Sequence, residues 1–285
     1  MKFPEVLRVP LVKTLKWMGI TVNRKWMMRL GTPAFITVVL HNEKKFKMKG
    51  TGLSLENSLY WKGFKEGHEP MTAQTFIEYA RDANWVLDIG ANTGFFALMA
   101  KTINPQAKVA AFEPHPFFYE LLVENAKCNN YQITTVNEAA SHVSDRVAFF
   151  FPKPNQGNVY SGSVSRSHFY NHQDTTPETI EISTIPLDNF IAAQKGWGSG
   201  GLVKIDAEGH DEEVLMGLQQ TIMEHAPVLI VEIQSQEKAK SVAGHAFLQN
   251  YTFRGIHDKK GVLTEILNIP FYAGCDNYLF IPGKN

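Results

Sequence analysis

The sequence predicts a doubly wound α/β fold, a mostly parallel seven-stranded sheet with helices on both faces and an N-terminal cap. Three observations predict it. The stretch from Trp85 to Met99, W-V-L-D-I-G-A-N-T-G-F-F-A-L-M, reads as a buried strand, a glycine turn and a helix. Three further apolar runs, Lys108 to Phe112, Leu202 to Ile205 and Val228 to Val231, each end in an acid: Glu113, Asp206 and Glu232. Near the end, Phe253 to Ile256, Gly261 to Leu267 and Asn277 to Ile281 complete the sheet with an antiparallel final pair.

A chain of 285 residues with 44% hydrophobic content suits one large domain, or one domain with an appendage. The boundary falls between a basic appendage, 1–58, and a main domain, 59–285. Residues 1–49 hold eleven Lys/Arg against two Asp/Glu, and because the whole chain balances 28 against 28, the remainder is acidic by nine charges. An acidic body is a poor platform for a nucleic-acid backbone, which needs clustered cations. No stretch approaches the roughly 18 apolar residues of a membrane span, and Val9 to Ile20, interrupted by Lys13 and Lys16, is no signal peptide. Cys128 and Cys275 lie in no metal or disulfide spacing, so a cytoplasmic location with reduced thiols is expected.

Taken in order, residues 1–30 mix Leu7, Val9, Leu11, Leu15, Trp17 and Met18 with Arg8, Lys13, Lys16, Arg24, Lys25 and Arg29. Such a helical head is able to lie on the inner face of an anionic membrane. Its apolar positions form no single stripe, which favours packing on the domain or on a second copy in a homodimer. Phe35 to Leu40 is expected to pair with Phe46 to Met48 across a polar turn. Leu59 to Pro70 is an aromatic and glycine-rich lead-in to a helix over Thr72 to Arg81, and Glu69-Pro70 suits a pre-helix turn. After Glu113, His115-Pro116 opens a helix over Phe117 to Lys127, with His115 expected in solvent or, from its place at the ribose end, in contact with an adenine. A strand over Ile133 to Val136 precedes Asn137, Glu138, Ala139 and Ala140, small residues that leave room for a flat ring. Val147 to Phe151 and Glu178 to Ile185 alternate as strands. The polar stretch between them, Pro152 to Pro177, carries Tyr160, Arg166, His168, Phe169, Tyr170 and His172 and is a candidate acceptor-recognition loop. Helices are expected over His210 to Glu224 and Lys238 to Asn250.

The glycine loop restricts the ligand. Gly90 takes backbone angles that side chains disfavour, and Gly94 lets the helix start lie near a bound molecule. In G-x-G-x-x-G dinucleotide sites two further glycines let a pyrophosphate approach and let the helix pack closely, but Asn92 and Phe95 hold those places here. This counts against a nicotinamide-dependent oxidoreductase. Glu113, about twenty residues after the glycines, is placed to accept both ribose hydroxyls. A ribose without phosphate points to S-adenosylmethionine, whose cationic sulfonium suits an acidic site.

D-I-G-A-N-T-G-F-F, the A-F-E-P that follows, V-N-E-A-A at 136–140 and, above all, L-V-K-I-D-A-E-G-H-D-E-E-V-L-M-G at 202–217 resemble the FkbM family of S-adenosylmethionine-dependent methyltransferases, over about Trp61 to Pro282. The resemblance implies a Rossmann-like class I methyltransferase fold and O-methylation of a hydroxyl on a sugar, glycoconjugate or natural product. It places Glu69 beside the cofactor and Ala139 and Ala140 near the adenine. With the residue reading, it gives a cofactor set of Glu69, Asp88, Gly90, Ala91, Asn92, Gly94, Phe95, Glu113, Pro114, Ala139, Ala140 and Asp206. In-line methyl transfer needs an aligned hydroxyl and a base within hydrogen-bond reach. Asp206, Glu208, His210 and Glu232 are the candidates, with imidazole closest to neutrality. Asp206, Glu208 and Glu232 are also hard oxygen ligands, but nothing in their spacing demands metal, and none is expected. A non-catalytic module that binds S-adenosylmethionine at a membrane or partner surface is the alternative of a different class.

Overall fold

The computed structural model describes residues 14–15, 17–19, 30–40, 43–151, 162–164, 177–265 and 275–283. Most of the basic head lies outside them, as do the six aromatic, His and Arg residues singled out between Pro152 and Pro177.

β1 (Phe35–Val39) and β2 (Lys45–Lys49) form the expected antiparallel hairpin. Successive side chains of a strand point to opposite faces, and here Ile36, Val38, Phe46 and Met48 point inward. Helix α1 (Ser54–Lys62) covers the first part of the segment expected to be an irregular lead-in. Its polar residues hid it, because Glu56 and Asn57 are themselves buried and give no amphipathic stripe. α2 (Pro70–Ala80) follows, capped from a distance by Asp258, whose Oδ1 accepts Met71 N–H (2.8 Å) and Thr72 N–H (3.0 Å).

The main sheet then begins: β3 (Trp85–Ile89), α3 (Phe95–Ile103), β4 (Lys108–Phe112), α4 (Pro116–Cys128) and β5 (Thr134–Val136). A three-stranded sheet interrupts it, β6 (Ala139–Ser141), β7 (Arg146–Phe151) and β8 (Glu178–Pro186), in the order β6-β8-β7. After α5 (Leu187–Ala192) come β9 (Gly201–Ile205), α6 (Asp211–Gly217), α7 (Gln219–His225), β10 (Val228–Glu232), α8 (Gln236–Ala243), β11 (Tyr251–His257), β12 (Val262–Leu263) and β13 (Asn277–Pro282).

The main sheet has eight strands rather than seven, ordered β12-β11-β13-β10-β9-β3-β4-β5. The run expected over Gly261 to Leu267 appears as β12, a two-residue edge returned onto β11 by a turn in which Gly261 takes φ +65° and donates to the His257 carbonyl (2.8 Å). The core strands from β10 to β5 are parallel, and β13 is antiparallel to both β10 and β11. Burial on both faces explains why β3 and β9 read as continuous apolar runs. Val86, Val109, Leu202 and Ile230 pack on the layer that holds α2, α3 and the β1–β2 hairpin. Trp85, Leu87, Val203 and Leu229 pack on the layer of α5, α6 and α8.

Two expected helices are broken. The one over His210 to Glu224 divides at Leu218, where a Cβ on Gly217 would come within 2.0 Å of the Ser141 carbonyl oxygen. Asp188 then caps the second half, accepting Gln220 N–H and Thr221 N–H at 2.9 Å each. The helix expected over Lys238 to Asn250 is α8, started by Ser235 accepting Lys238 N–H, with a separate 3₁₀ turn at Ala246–Leu248.

Candidate active site

Strand order reverses between β3 and β9, and in open α/β sheets ligands bind outside the carboxyl ends of the strands at such a point. The two strands are in register, Asp88 opposite Lys204 and Ile89 opposite Ile205, and Asp206 N–H donates to the Ile89 carbonyl at 3.0 Å. Gly90, at φ +73°, is required by this seam: a Cβ there would sit 1.8 Å from the Asp206 carbonyl oxygen. Above it opens a cavity of about 310 Å³.

Gly90 and Ala91 N–H both donate to the Phe112 carbonyl, which turns the loop toward β4. Glu113, 5% exposed, accepts Asn92 N–H through Oε2 and His115 N–H through Oε1, both at 2.8 Å. Burial pushes its carboxyl up to about 7, the two backbone donors opposing. Asp88 lines the cavity but also works in the fold, its Oδ2 accepting Ala97 N–H (2.8 Å) in the first turn of α3. Burial raises it likewise to about 7.

Lys204 is fully buried in the cavity floor, 3.3 Å from Asp206 Oδ2 and 5.4 Å from the centre of the Phe96 ring. Burial alone would favour its neutral form, but Asp206, Glu69, Glu232 and Asp88 outweigh it and hold the ammonium above its ordinary range. Glu69 enters with φ +40° at the start of α2, and its Oε2 is buried without a hydrogen-bond partner among the described residues. Burial raises its carboxyl, and Glu232 is pushed well up, first by burial and then by Asp206, Asp211 and Glu208.

The loop after β9 is shaped by Asp211, whose Oδ1 accepts Ala207 N–H (2.7 Å) and Oδ2 accepts Gly209 N–H (3.1 Å). Ser163 fastens it from outside by donating to the Glu208 carbonyl (2.5 Å), and Lys238 Nζ reaches the Gly209 carbonyl (2.6 Å). His210 lines the same cavity, with Nε2 3.3 Å from Ser141 Oγ and Nδ1 3.6 Å from Glu213 Oε2; burial lowers its pKa.

The structure brings the expected residues together, since Glu69, Asp88, Gly90, Ala91, Asn92, Phe95, Glu113, Pro114, Ala139, Ala140, Asp206, Glu208, His210 and Glu232 all line one cavity. Gly94 does not. At φ +89° its bare α-carbon faces Leu122 of α4, whose Cδ1 would lie 2.6 Å from an added Cβ, so the glycine serves helix packing instead of ligand approach. His115, expected in solvent, is 6% exposed and packed edge-on among Phe118, Phe149 and Phe151. Gly162 and Val164 join the wall, so part of the Pro152 to Pro177 stretch reaches the site. Lys204 and Asp211 were missed; a lysine inside the apolar run L-V-K-I was the available signal for the first. Among the described residues no group of three or more His, Cys, Asp or Glu is arranged to hold a metal.

A doubly wound sheet whose reversal point gathers a glycine loop, with Asn92 and Phe95 in place of the dinucleotide glycines, and the carboxylates of Glu113, Asp206 and Glu232 has the arrangement of a nucleoside-cofactor site. Comparison with known proteins makes this specific. The model of the methyltransferase FkbM domain matches residues 88–255, and the chain belongs to that family. Methyltransferase sdnD of Sordaria araneosa is 46% identical over 170 residues, 52% of this chain and 65% of that protein. The 31-O-demethyl-FK506 methyltransferase FkbM of Streptomyces tacrolimicus is 27% identical over 195 residues, 59% of this chain and 74% of that one. The hexuronic acid methyltransferase AglP of Haloferax volcanii is 28% identical over 166 residues, 58% and 62% respectively. The chain thus spans less than two thirds of the length of two of these three relatives. S-adenosylmethionine is the family's cofactor, and the residues fit it: Glu69, Asp206 and Glu232 suit a cationic ligand, and Glu69 Oε2 lacks the donor that such a ligand carries.

Proposed function

We propose that this protein transfers a methyl group from S-adenosylmethionine to a hydroxyl on a sugar, glycoconjugate or natural product. The convergence of Glu69, Glu113, Asp206 and Glu232, from four separate segments, on one cavity carries this reading. The acceptor class is supported by two relatives, one named for a hexuronic acid and one for 31-O-demethyl-FK506.

Bound S-adenosylmethionine supplies an electrophilic methyl on a cationic sulfur. Glu113 keeps unused lone pairs for the ribose hydroxyls after accepting two backbone donors. Pro114, Ala139 and Ala140, which line the cavity, are the residues assigned to the adenine. Glu69 and Asp206 balance the cationic end, with Asp206 Oδ2 3.3 Å from Lys204 Nζ. His210, held neutral by burial, accepts the proton of the acceptor hydroxyl, and Glu232 is the second candidate because burial and neighbouring carboxylates make it a stronger base.

Calorimetry with S-adenosylmethionine, S-adenosylhomocysteine and NADH tests the cofactor. Micromolar binding of the first two, weakened in Glu113→Ala and Asp206→Ala and absent for NADH, is expected; tight NADH binding would sink the reading. With labelled methyl donor and extract as acceptor source, unchanged turnover in His210→Ala would remove His210 as base and leave Glu232.

A further inference from the structure

The outer face of the β1–β2 hairpin combines cations with exposed apolar side chains. Its strands pair Phe35 with Lys49, Thr37 with Lys47 and Val39 with Lys45, and all six side chains share the face turned away from the core. Phe35 is 54% and Val39 53% exposed. Lys49 pairs with Glu124, whereas no carboxylate pairs with Lys45 or Lys47 among the described residues.

The free edge of β2 is already filled. Asn125 Oδ1 accepts Lys49 N–H (2.7 Å), Asn129 Oδ1 accepts Lys47 N–H (2.8 Å), and Asn129 Nδ2 donates to the Lys47 carbonyl (2.8 Å). A partner strand therefore has no hydrogen bonds to gain along this edge. What docks on the flat face instead has to offer negative charge to the lysines and an apolar medium to Phe35 and Val39. Nearby in sequence, Leu15 packs with Leu30, Tyr60 and Trp61, while Trp17 is 87% and Met18 58% exposed.

We propose that this hairpin face docks on an anionic lipid bilayer. Acidic headgroups meet Lys45 and Lys47, and Phe35 and Val39 enter the interfacial layer. The charge of the sequence runs the same way: residues 1–49 carry a net +9 and the rest a net −9, so a bilayer attracts the first segment and repels the remainder. A nucleic acid is the poorer occupant, because its backbone would meet Phe35 and Val39 between the cations and would be repelled by the acidic body.

The test is co-sedimentation with vesicles of phosphatidylcholine alone and of phosphatidylcholine mixed with phosphatidylglycerol. The wild type should bind the mixed vesicles only, more weakly as salt rises. Lys45→Gln/Lys47→Gln should bind about thirtyfold less, at about a kcal/mol per lysine. Phe35→Ser should lose the residue of binding that survives high salt. Thr37→Glu, which adds a negative charge without touching a buried side chain, should also abolish binding. Thermal melts show that each variant is folded. Equal binding to both vesicle types, unchanged binding of the folded Lys45→Gln/Lys47→Gln and Thr37→Glu variants, or preference for RNA over mixed vesicles would each overturn the proposal.

Discussion

Glu113 holds two jobs in one carboxylate. It anchors the glycine loop through Asn92 N–H and the turn into α4 through His115 N–H, while facing the cavity. Glu113→Gln replaces an acceptor oxygen with a donor that opposes one of those amides. The expected loss is on the order of 1–3 kcal/mol of affinity, equal for S-adenosylmethionine and S-adenosylhomocysteine, read by calorimetry. Asp88 gives a pH prediction. Its folded pKa of about 7 lies above the unfolded value near 4, so the folded state holds the extra proton. Its contribution therefore weakens as pH rises from about 4 to about 7, and Asp88→Asn, which keeps an oxygen for Ala97 N–H, should remove that slope from denaturant titrations of the ligand-free protein. Lys204→Met leaves carboxylates buried without their cation. A destabilisation of about 3–5 kcal/mol is expected, smaller at pH 6 than at pH 8 because protonation relieves the uncompensated charge. Glu113, Asp206 and Glu232 were legible in sequence because each closes an apolar run, whereas Glu69 came from the family resemblance and Asp211 was missed. Lys204 was not legible, since one charge inside a strand looks like an interruption until four carboxylates are seen around it.

Among elements, most strands and most helices followed from periodicity and from glycine and proline positions, while β6 and α5 did not. What escaped depends on tertiary contact. The break at Leu218 comes from Gly217 meeting the Ser141 carbonyl, and the caps of α2 and α7 are Asp258 and Asp188, donated from distant segments. These two caps give a paired prediction. Asp188→Ala should cost about 1–2 kcal/mol of stability with cofactor affinity unchanged, because α7 does not touch the cavity. Asp258→Ala should cost a similar amount and also weaken S-adenosylmethionine, because α2 starts at Glu69. Urea melts and calorimetry on both variants separate the two effects.

For the whole molecule, the fall in basic charge after residue 49 suggested an appendage over 1–58. Charge reports only the surface, and the buried alternate residues of the hairpin, Ile36, Val38, Phe46 and Met48, belong to the same core cluster as Phe76 and Phe95. The rings of Phe46 and Phe95 lie 6.2 Å apart. A chain beginning at residue 59 is therefore expected to lose cooperative melting in calorimetric scans, whereas a detachable appendage would leave the transition intact. The seam between Gly90 and Asp206 has a different kind of consequence. A methyl group at position 90 has no room, so the turn between β3 and α3 admits no side chain there, while Gly162 and Val164 meet the cavity from outside the main sheet. The same limit reaches the wall, where a Cβ on Gly162 would come within 2.4 Å of the Phe149 ring, so in that stretch a change of acceptor falls to Val164 and not to the glycine.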